Sequence, residues 1–280
     1  MDGALVEAVT HDDIDSFLAL AGAFLEADPV NHSVHLTGVD AVLRGHRQAA
    51  TLISLHDNGT LVGAVTRLEG RPLHVAAMPP AAAPVVVAAL REQPDPGPTE
   101  VTGPKDRVDA FHALWREGGR EVYVLRLYEL KDLVVPEIAG AARLATPADD
   151  DLVTTWWTGF VQELDGVDRA AAGERVRDSR WMSAGHVLWL VDGVPVSWAA
   201  STTPVGGVSR VGPVYTPPEH RRHGYAAAVT AAVSRWAHRE GAGHVVLTAD
   251  LADPTANSVY QRIGFRHVSD WSEYRWSVEE

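Results

Sequence analysis

Arg221-x-x-Gly224-x-Ala226 follows a strand-like run at 211–216 and a two-proline turn, Pro217-Pro218, and it opens a long helical pattern. The apolar residues of that pattern (Ala226, Val229, Thr230, Val233, Trp236, Ala237) recur at three- and four-residue steps, which predicts one buried helical face. A helix start leaves several backbone N–H groups without intrahelical partners, and its dipole favours negative charge. Gly224 and Ala226 are small enough for a ligand to come close to those amides. Strand, small-residue loop and helix N-terminus together make a cradle for a pyrophosphate. The spacing is not that of a nucleotide P-loop, because no Gly-Lys-Ser/Thr follows, nor of a dinucleotide fingerprint, which needs three spaced glycines and a later acidic residue.

A second stretch lies about thirty residues on, after the strand-like Val245-Val246-Leu247-Thr248. It reads Asp253-Pro254-Thr255-Ala256-Asn257-Ser258-Val259-Tyr260-Gln261-Arg262-Ile263-Gly264-Phe265. Asp253 or Thr255 can cap a helix, Pro254 is tolerated in its first turn, and Gly264 falls where a C-cap is expected. Asn257 and Tyr260, three apart, then share one helix face.

The two stretches, in this order with a strand between them, resemble the hallmarks of the GNAT acyltransferase superfamily: Gln/Arg-x-x-Gly-x-Gly/Ala and Asn-x-x-Tyr-x-x-x-Gly-Phe. The resemblance extends to a tandem-domain subgroup carrying Val-Tyr-Thr-Pro-Pro-Glu-His-Arg (214–221) and Asp-Leu-Ala-Asp-Pro-Thr-x-Asn (250–257). It implies acetyl-CoA as co-substrate and direct acetyl transfer to the primary amine of a small molecule in a ternary complex. It also implies that Val214 and Thr216 offer main-chain contacts to the pantetheine arm. The backbone at Arg222, His223, Gly224, Tyr225 and Ala226 would hold the pyrophosphate, with Arg221 fixing the loop or touching phosphate. Asn257 would contact the cofactor or an ordered water near it, and Tyr260 would give a proton to the departing thiolate.

The acceptor amine must arrive unprotonated, and an alkylamine with pKa ~10.4 costs about 4.6 kcal/mol to deprotonate at pH 7. The candidate base is Glu163, in Trp156-Trp157-Thr158-Gly159-Phe160-Val161-Gln162-Glu163, a segment that the resemblance puts on the acceptor side. Burial beside aromatic residues would raise its pKa, and a water relay is the alternative. Trp157 and Phe160 are candidate pocket walls, while Trp189 and Trp198 fit core or pocket equally.

The elements that must carry these groups repeat. Residues 1–136 read as β-α-α-β-β-β-α-β-α-β: a strand at 1–10, helices near 12–25 and 38–48, and a hairpin of 51–56 and 61–66 about Asp57-Asn58-Gly59. A strand at 73–77, a helix after Pro80, a turn-rich segment at 93–98, a short strand at 101–102, a helix at 106–118 and a strand at 121–128 follow. The same order returns in 137–280, with strands at 142–146, 187–191, 194–199, 207–216 and 244–248, a last strand or hairpin at 266–276, and helices from 149 to 160, at 168–180, from 226 to 239 and at 255–262. The expectation is an α/β fold of two tandem GNAT-type domains, 1–136 and 137–280, each a mixed, mostly antiparallel sheet with helices on both faces. In the first copy the cradle position holds Met78-Pro79-Pro80-Ala81-Ala82-Ala83-Pro84, without Gly or Arg, and the matching helix offers neither the Asn nor the Tyr. That copy is expected to bind no CoA and to serve as scaffold, pocket wall or dimer surface.

Composition narrows the partners. A formal charge of −13 disfavours nucleic acid, the absence of cysteine removes thiolate metal sites and cysteine acyl-enzymes, and no apolar run approaches the ~18 residues of a membrane span. None of the thirteen histidines forms a metal-binding pattern, so no metal is expected. A cytoplasmic enzyme is the expectation. Two other readings share the cradle: an acyl-CoA-binding sensor without turnover, and an acyltransferase acting on a protein terminus or an aminoacyl-tRNA, the latter disfavoured by the charge.

Overall fold

The computed structural model describes residues 6–94, 96–179 and 182–276. Residues 1–5 of the expected first strand, Asp95 of the turn-rich segment and Arg180 at the end of the 168–180 helix lie outside them. The first half runs β1 (Val6–Thr10), α1 (Ile14–Ala27), α2 (Ser33–Leu43), β2 (Ala49–Asp57), β3 (Thr60–Leu68), β4 (Leu73–Ala77), α3 (Ala83–Glu92), β5 (Glu100–Pro104), α4 (Lys105–His112) and β6 (Arg120–Leu130). The second repeats that order with β7 (Ala141–Leu144), α5 (Asp150–Asp165), α6 (Arg169–Ser179), β8 (Gly185–Val191), β9 (Val194–Ser201), β10 (Val208–Tyr215), α7 (Tyr225–Arg239), β11 (His244–Asp250), α8 (Pro254–Arg262) and β12 (Phe265–Arg275).

Local chemistry sets these bounds. Asp13 caps α1 by accepting the Ser16 N–H at 2.7 Å. Asn58 and Gly59 both take positive φ, 49° and 78°, the geometry that a two-residue hairpin turn needs. Three helices differ from expectation, one of them α5, which runs on to Asp165 and carries Glu163 instead of ending at Phe160. The one expected across 38–48 starts at Ser33 and ends before Gly45, whose φ of 70° stops it. The one expected to reach Gly118 ends at His112, because Trp115 turns inward and donates its indole N–H to the Pro98 carbonyl at 3.1 Å.

The chain forms two compact units. One holds the chain up to Leu127, Asp250–Ala252 and the chain from Val268 onward; the other holds Tyr128–Ala249 and Asp253–His267. In the first, the strand order is β1-β2-β3-β4-β5-β12, all antiparallel except β4 beside β5. Val86, Val87 and Leu90 of α3, with Val108 and Phe111 of α4, pack on Ile53, Leu55, Val75 and Val101. Phe17, Ala21 and Leu25 of α1 are fully buried as well.

In the second unit the order is β11-β10-β9-β8-β7, with the end of β6 from Tyr128 beside β11 and with β10 and β11 parallel. Strand alternation divides its core into two layers. Val229, Val233, Trp236 and Ala237 of α7 pack with Val187 and Trp189 of β8 and Ala199 of β9. Trp156, Trp157 and Val161 of α5, with Ala172 and Val176 of α6, pack with Leu188, Trp198 and Ala200 from the other side of the same strands. No helix among the described residues is long and apolar enough to cross a membrane.

Candidate functional site

The candidate residues all fall within the second unit, and β10 is their axis. It pairs with β11 only from Val208↔His244 to Arg210↔Val246, then continues to Tyr215 along β9 alone. A register shift between Val211 and Val214, over Gly212 and Pro213, bends the strand as it leaves β11. Val214 lies opposite Ala199 and Tyr215 opposite Trp198. Past Arg210 the side of β10 turned from β9 has no β11 ladder partner among the described residues, so its backbone can pair with an extended ligand.

After Thr216 the chain makes a short 3-10 turn at Pro218–His220 and enters α7 through Gly224. Gly224 is the N-cap at φ 82°, and a Cβ there would sit 2.6 Å from Cδ1 of Ile138. Only glycine fits that position without strain. Arg222 also takes positive φ, 65°, and no side chain caps α7. The first amides of a long helix are thus left to a ligand or water, as an anion cradle requires. His223 stacks its ring on Tyr225 at 5.3 Å and 13°, and its Nδ1–H donates to the His220 carbonyl at 3.3 Å.

The Arg221 side chain is engaged by Glu163 and Thr216. Its Nη2 donates to both carboxylate oxygens of Glu163, at 2.7 and 2.6 Å, and its Nε donates to the Thr216 carbonyl at 2.9 Å. The Tyr215 hydroxyl donates to Oε1 of the same carboxylate at 3.1 Å. Loss of solvation and the nearby Glu163 charge push the Tyr215 hydroxyl above its usual pKa.

On α8, Asp253 caps the helix as the sequence suggests, accepting from the Thr255 and Ala256 N–H groups. Asn257 is buried and its side chain is engaged internally: Oδ1 accepts from the Tyr128 hydroxyl at 2.7 Å and Nδ2 donates to the Asp253 carbonyl at 2.6 Å. Tyr260 packs against the same core cluster as Val214 and Tyr225, with its ring edge-on to Phe265 at 6.1 Å. Burial, with Asp253 nearby, pushes its hydroxyl up to about 12.

Trp157, expected on a pocket wall, lies in the core at 4% exposure, 5.6 Å from Trp198. Phe160 packs against the same cluster and stays half-buried. Trp189 and Trp198 are both buried. Sequence reasoning overlooked Tyr215, Ser197 and Tyr128. Tyr215 sits inside a quoted motif and could have been found; Ser197 and Tyr128 look like ordinary strand residues.

A family model described as "Acetyltransferase (GNAT) family" matches residues 150–265. That span contains the departing strand β10, the Gly224 loop and helix α8. Residues 150–265 belong to the GNAT acetyltransferase family. No curated protein matches the chain by sequence. Among solved structures, a GCN5-related N-acetyltransferase from Sphaerobacter thermophilus shares the fold at 16% identity, covering 98% of each chain with a TM-score of 0.59. A tandem GNAT protein from the clavulanic acid biosynthesis pathway is similar at 16% identity, covering 98% of this chain and all of its own, with a TM-score of 0.57. A GCN5-related N-acetyltransferase from Kribbella flavida matches at 23% identity over 86% of this chain and 94% of its own, with a TM-score of 0.54. Within the matched residues, the small-residue helix start and the parting strands are the features that could hold a diphosphate and an extended arm. Among the described residues no cluster of three or more His, Asp or Glu is placed to hold a metal ion.

Proposed function

We propose that the protein transfers an acetyl group from acetyl-CoA to the primary amine of a small molecule, directly and within a ternary complex. One observation carries this reading: β10 leaves β11 after Arg210 and runs on into an uncapped helix start at Gly224. The free side of β10 around Val214 and Thr216 suits a pantetheine arm, and the backbone of 222–226 suits the pyrophosphate. Acetyl-CoA would supply the activated thioester. Tyr260 is protonated at every working pH because burial holds its hydroxyl near 12. As the amine nitrogen bonds the acetyl carbon and the C–S bond breaks, Tyr260 is suited to donate a proton to the sulfur, while the proton of the amine leaves through water. Phe160, half-buried on α5, is the aromatic residue left to face an acceptor, with Trp157 behind it in the core.

In the proposed division, residues 1–136 form a copy that binds no CoA and 137–280 the copy that does. Calorimetry with acetyl-CoA tests binding, and release of free CoA in the presence of a panel of small amines tests transfer. Binding without release under any amine would make the protein a sensor; no binding at all would remove the proposal.

A further inference from the structure

Glu163 and Arg221 are far apart in sequence, yet their side chains join one connected polar group with Tyr215, Thr216 and Ser197. The Glu163 carboxylate accepts from Nη2 of Arg221 through both oxygens and from the Tyr215 hydroxyl through Oε1. Arg221 in turn grips the Thr216 carbonyl with Nε, and its guanidinium lies 5.9 Å from the centroid of the Tyr215 ring. Ser197 of β9 donates to the Tyr215 carbonyl at 3.1 Å and shares a 2.8 Å hydrogen bond with the Thr216 hydroxyl. The result is a closed circuit: Tyr215 and Thr216 by backbone, Arg221 by its fork, Glu163 by its carboxylate, and back to Tyr215 by its hydroxyl. Gly159, one turn before Glu163, makes room for it, since a Cβ there would come within 2.9 Å of the Tyr215 hydroxyl oxygen.

We infer that Glu163 is a positioning residue, which fixes the turn between β10 and the helix start through Arg221, and that it is not the base that deprotonates the acceptor. Three hydrogens already point at its carboxylate. Taking another from an amine would neutralise the carboxylate that Arg221 pairs with and weaken its hold on the turn. The circuit spans the point where β10 ends and the turn to Gly224 begins, so it preorganises the backbone that a diphosphate and an extended arm would meet. The inference rests on the proposed acetyl-CoA site. Both side chains are nearly half exposed, 43% for Arg221 and 47% for Glu163, so the pair adds little to global stability and its effect is local.

The test uses the full chain, with Glu163→Gln, Arg221→Gln and the double variant. Glu163→Gln should raise KM for acetyl-CoA about threefold to fivefold, the range that an exposed ion pair can supply, with kcat changed by less than about threefold. The acid limb of the kcat/KM profile should stay in place, and adding Glu163→Gln to Arg221→Gln should change little more. A general base at this position would instead lose roughly a hundredfold or more in kcat, move the acid limb and keep its full effect in the Arg221→Gln background, which would overturn the inference. Hydrogen exchange of the 216–224 amides without ligand gives a second readout. Faster exchange in Glu163→Gln supports the positioning role, and unchanged exchange overturns it. Failure of the wild-type chain to take up acetyl-CoA would refute the proposed function and leave the exchange result to decide the positioning role alone.

Discussion

The Tyr128 hydroxyl donates to Oδ1 of Asn257 across 2.7 Å, joining the end of β6 to the opening turns of α8. Gln261 returns an amide N–H to the same hydroxyl oxygen at 3.1 Å. Tyr128 is fully buried and Asn257 nearly so, and the second arm of the Asn257 amide is engaged by the Asp253 carbonyl. The asparagine of the hallmark motif therefore acts first on its own protein: it sets the helix on which Tyr260 sits three residues later. Tyr128→Phe removes the donor while keeping the ring. Asn257 Oδ1 then loses this hydrogen bond, which should cost about 0.5–1.5 kcal/mol in urea unfolding. Wild-type stability in that variant would show that the bond contributes nothing.

Tyr260→Phe separates proton donation from packing. With its hydroxyl near 12, Tyr260 keeps its proton throughout the working range, so it can only donate. The phenylalanine keeps the edge-on contact with Phe265 and loses the donor. Turnover should fall by roughly tenfold or more, while acetyl-CoA affinity from calorimetry stays close to wild type. Parallel losses in turnover and affinity would assign the residue a packing role.

The order of elements was readable because hydropathy period and turn chemistry are local properties. Asn58-Gly59 forces a hairpin wherever it stands, and Gly224 with Ala226 marks a helix start by residue size alone. Other features are set by tertiary partners that no local pattern names. Residues 268–275 of β12 read as a strand, but nothing in them specifies antiparallel pairing of Trp271 with Pro104 on β5. Trp157 and Phe160 occupy similar places on the helical pattern, and their different burial follows from Trp198 beneath Trp157. Glu163 reads as a base-like carboxylate in the sequence because Arg221, its partner, lies on another element.

The first unit should leave the chain with one acetyl-CoA site. Where the second unit has its loop, the first has Met78 fully buried and Ala82 and Ala83 packed in the core, with Pro84 in the opening turn of α3. Gly63 approaches so closely that a Cβ there would lie 2.6 Å from Cδ of Pro79. Pro80 and Pro84 lack N–H groups, and a filled helix start with missing donors cannot cradle a diphosphate. Calorimetry on the full chain should give a stoichiometry of one acetyl-CoA per chain; a second site of comparable affinity would contradict this.

His35 makes the first unit sensitive to acid. It is fully buried on α2, its Nε2 accepts the Ala77 N–H at 3.2 Å, and its Nδ1 faces the Thr66 hydroxyl at 2.9 Å. The backbone N–H can only donate, so Nε2 carries the lone pair, Nδ1 carries the hydrogen, and protonation would break the Ala77 bond. Burial, followed by His74, His32 and Arg107, holds its pKa well below 6.5. A depressed folded-state pKa means that the unfolded chain binds the proton first as pH falls through 6.5. Stability is therefore complete above that pH and declines below it. Between pH 7.5 and 5.5, His35 should therefore lower the stability of the fold. His35→Gln keeps an acceptor and a donor in similar places but does not titrate. Its urea-unfolding free energy should be flatter than wild type over the same interval, and an equal slope in both proteins would rule His35 out as the source.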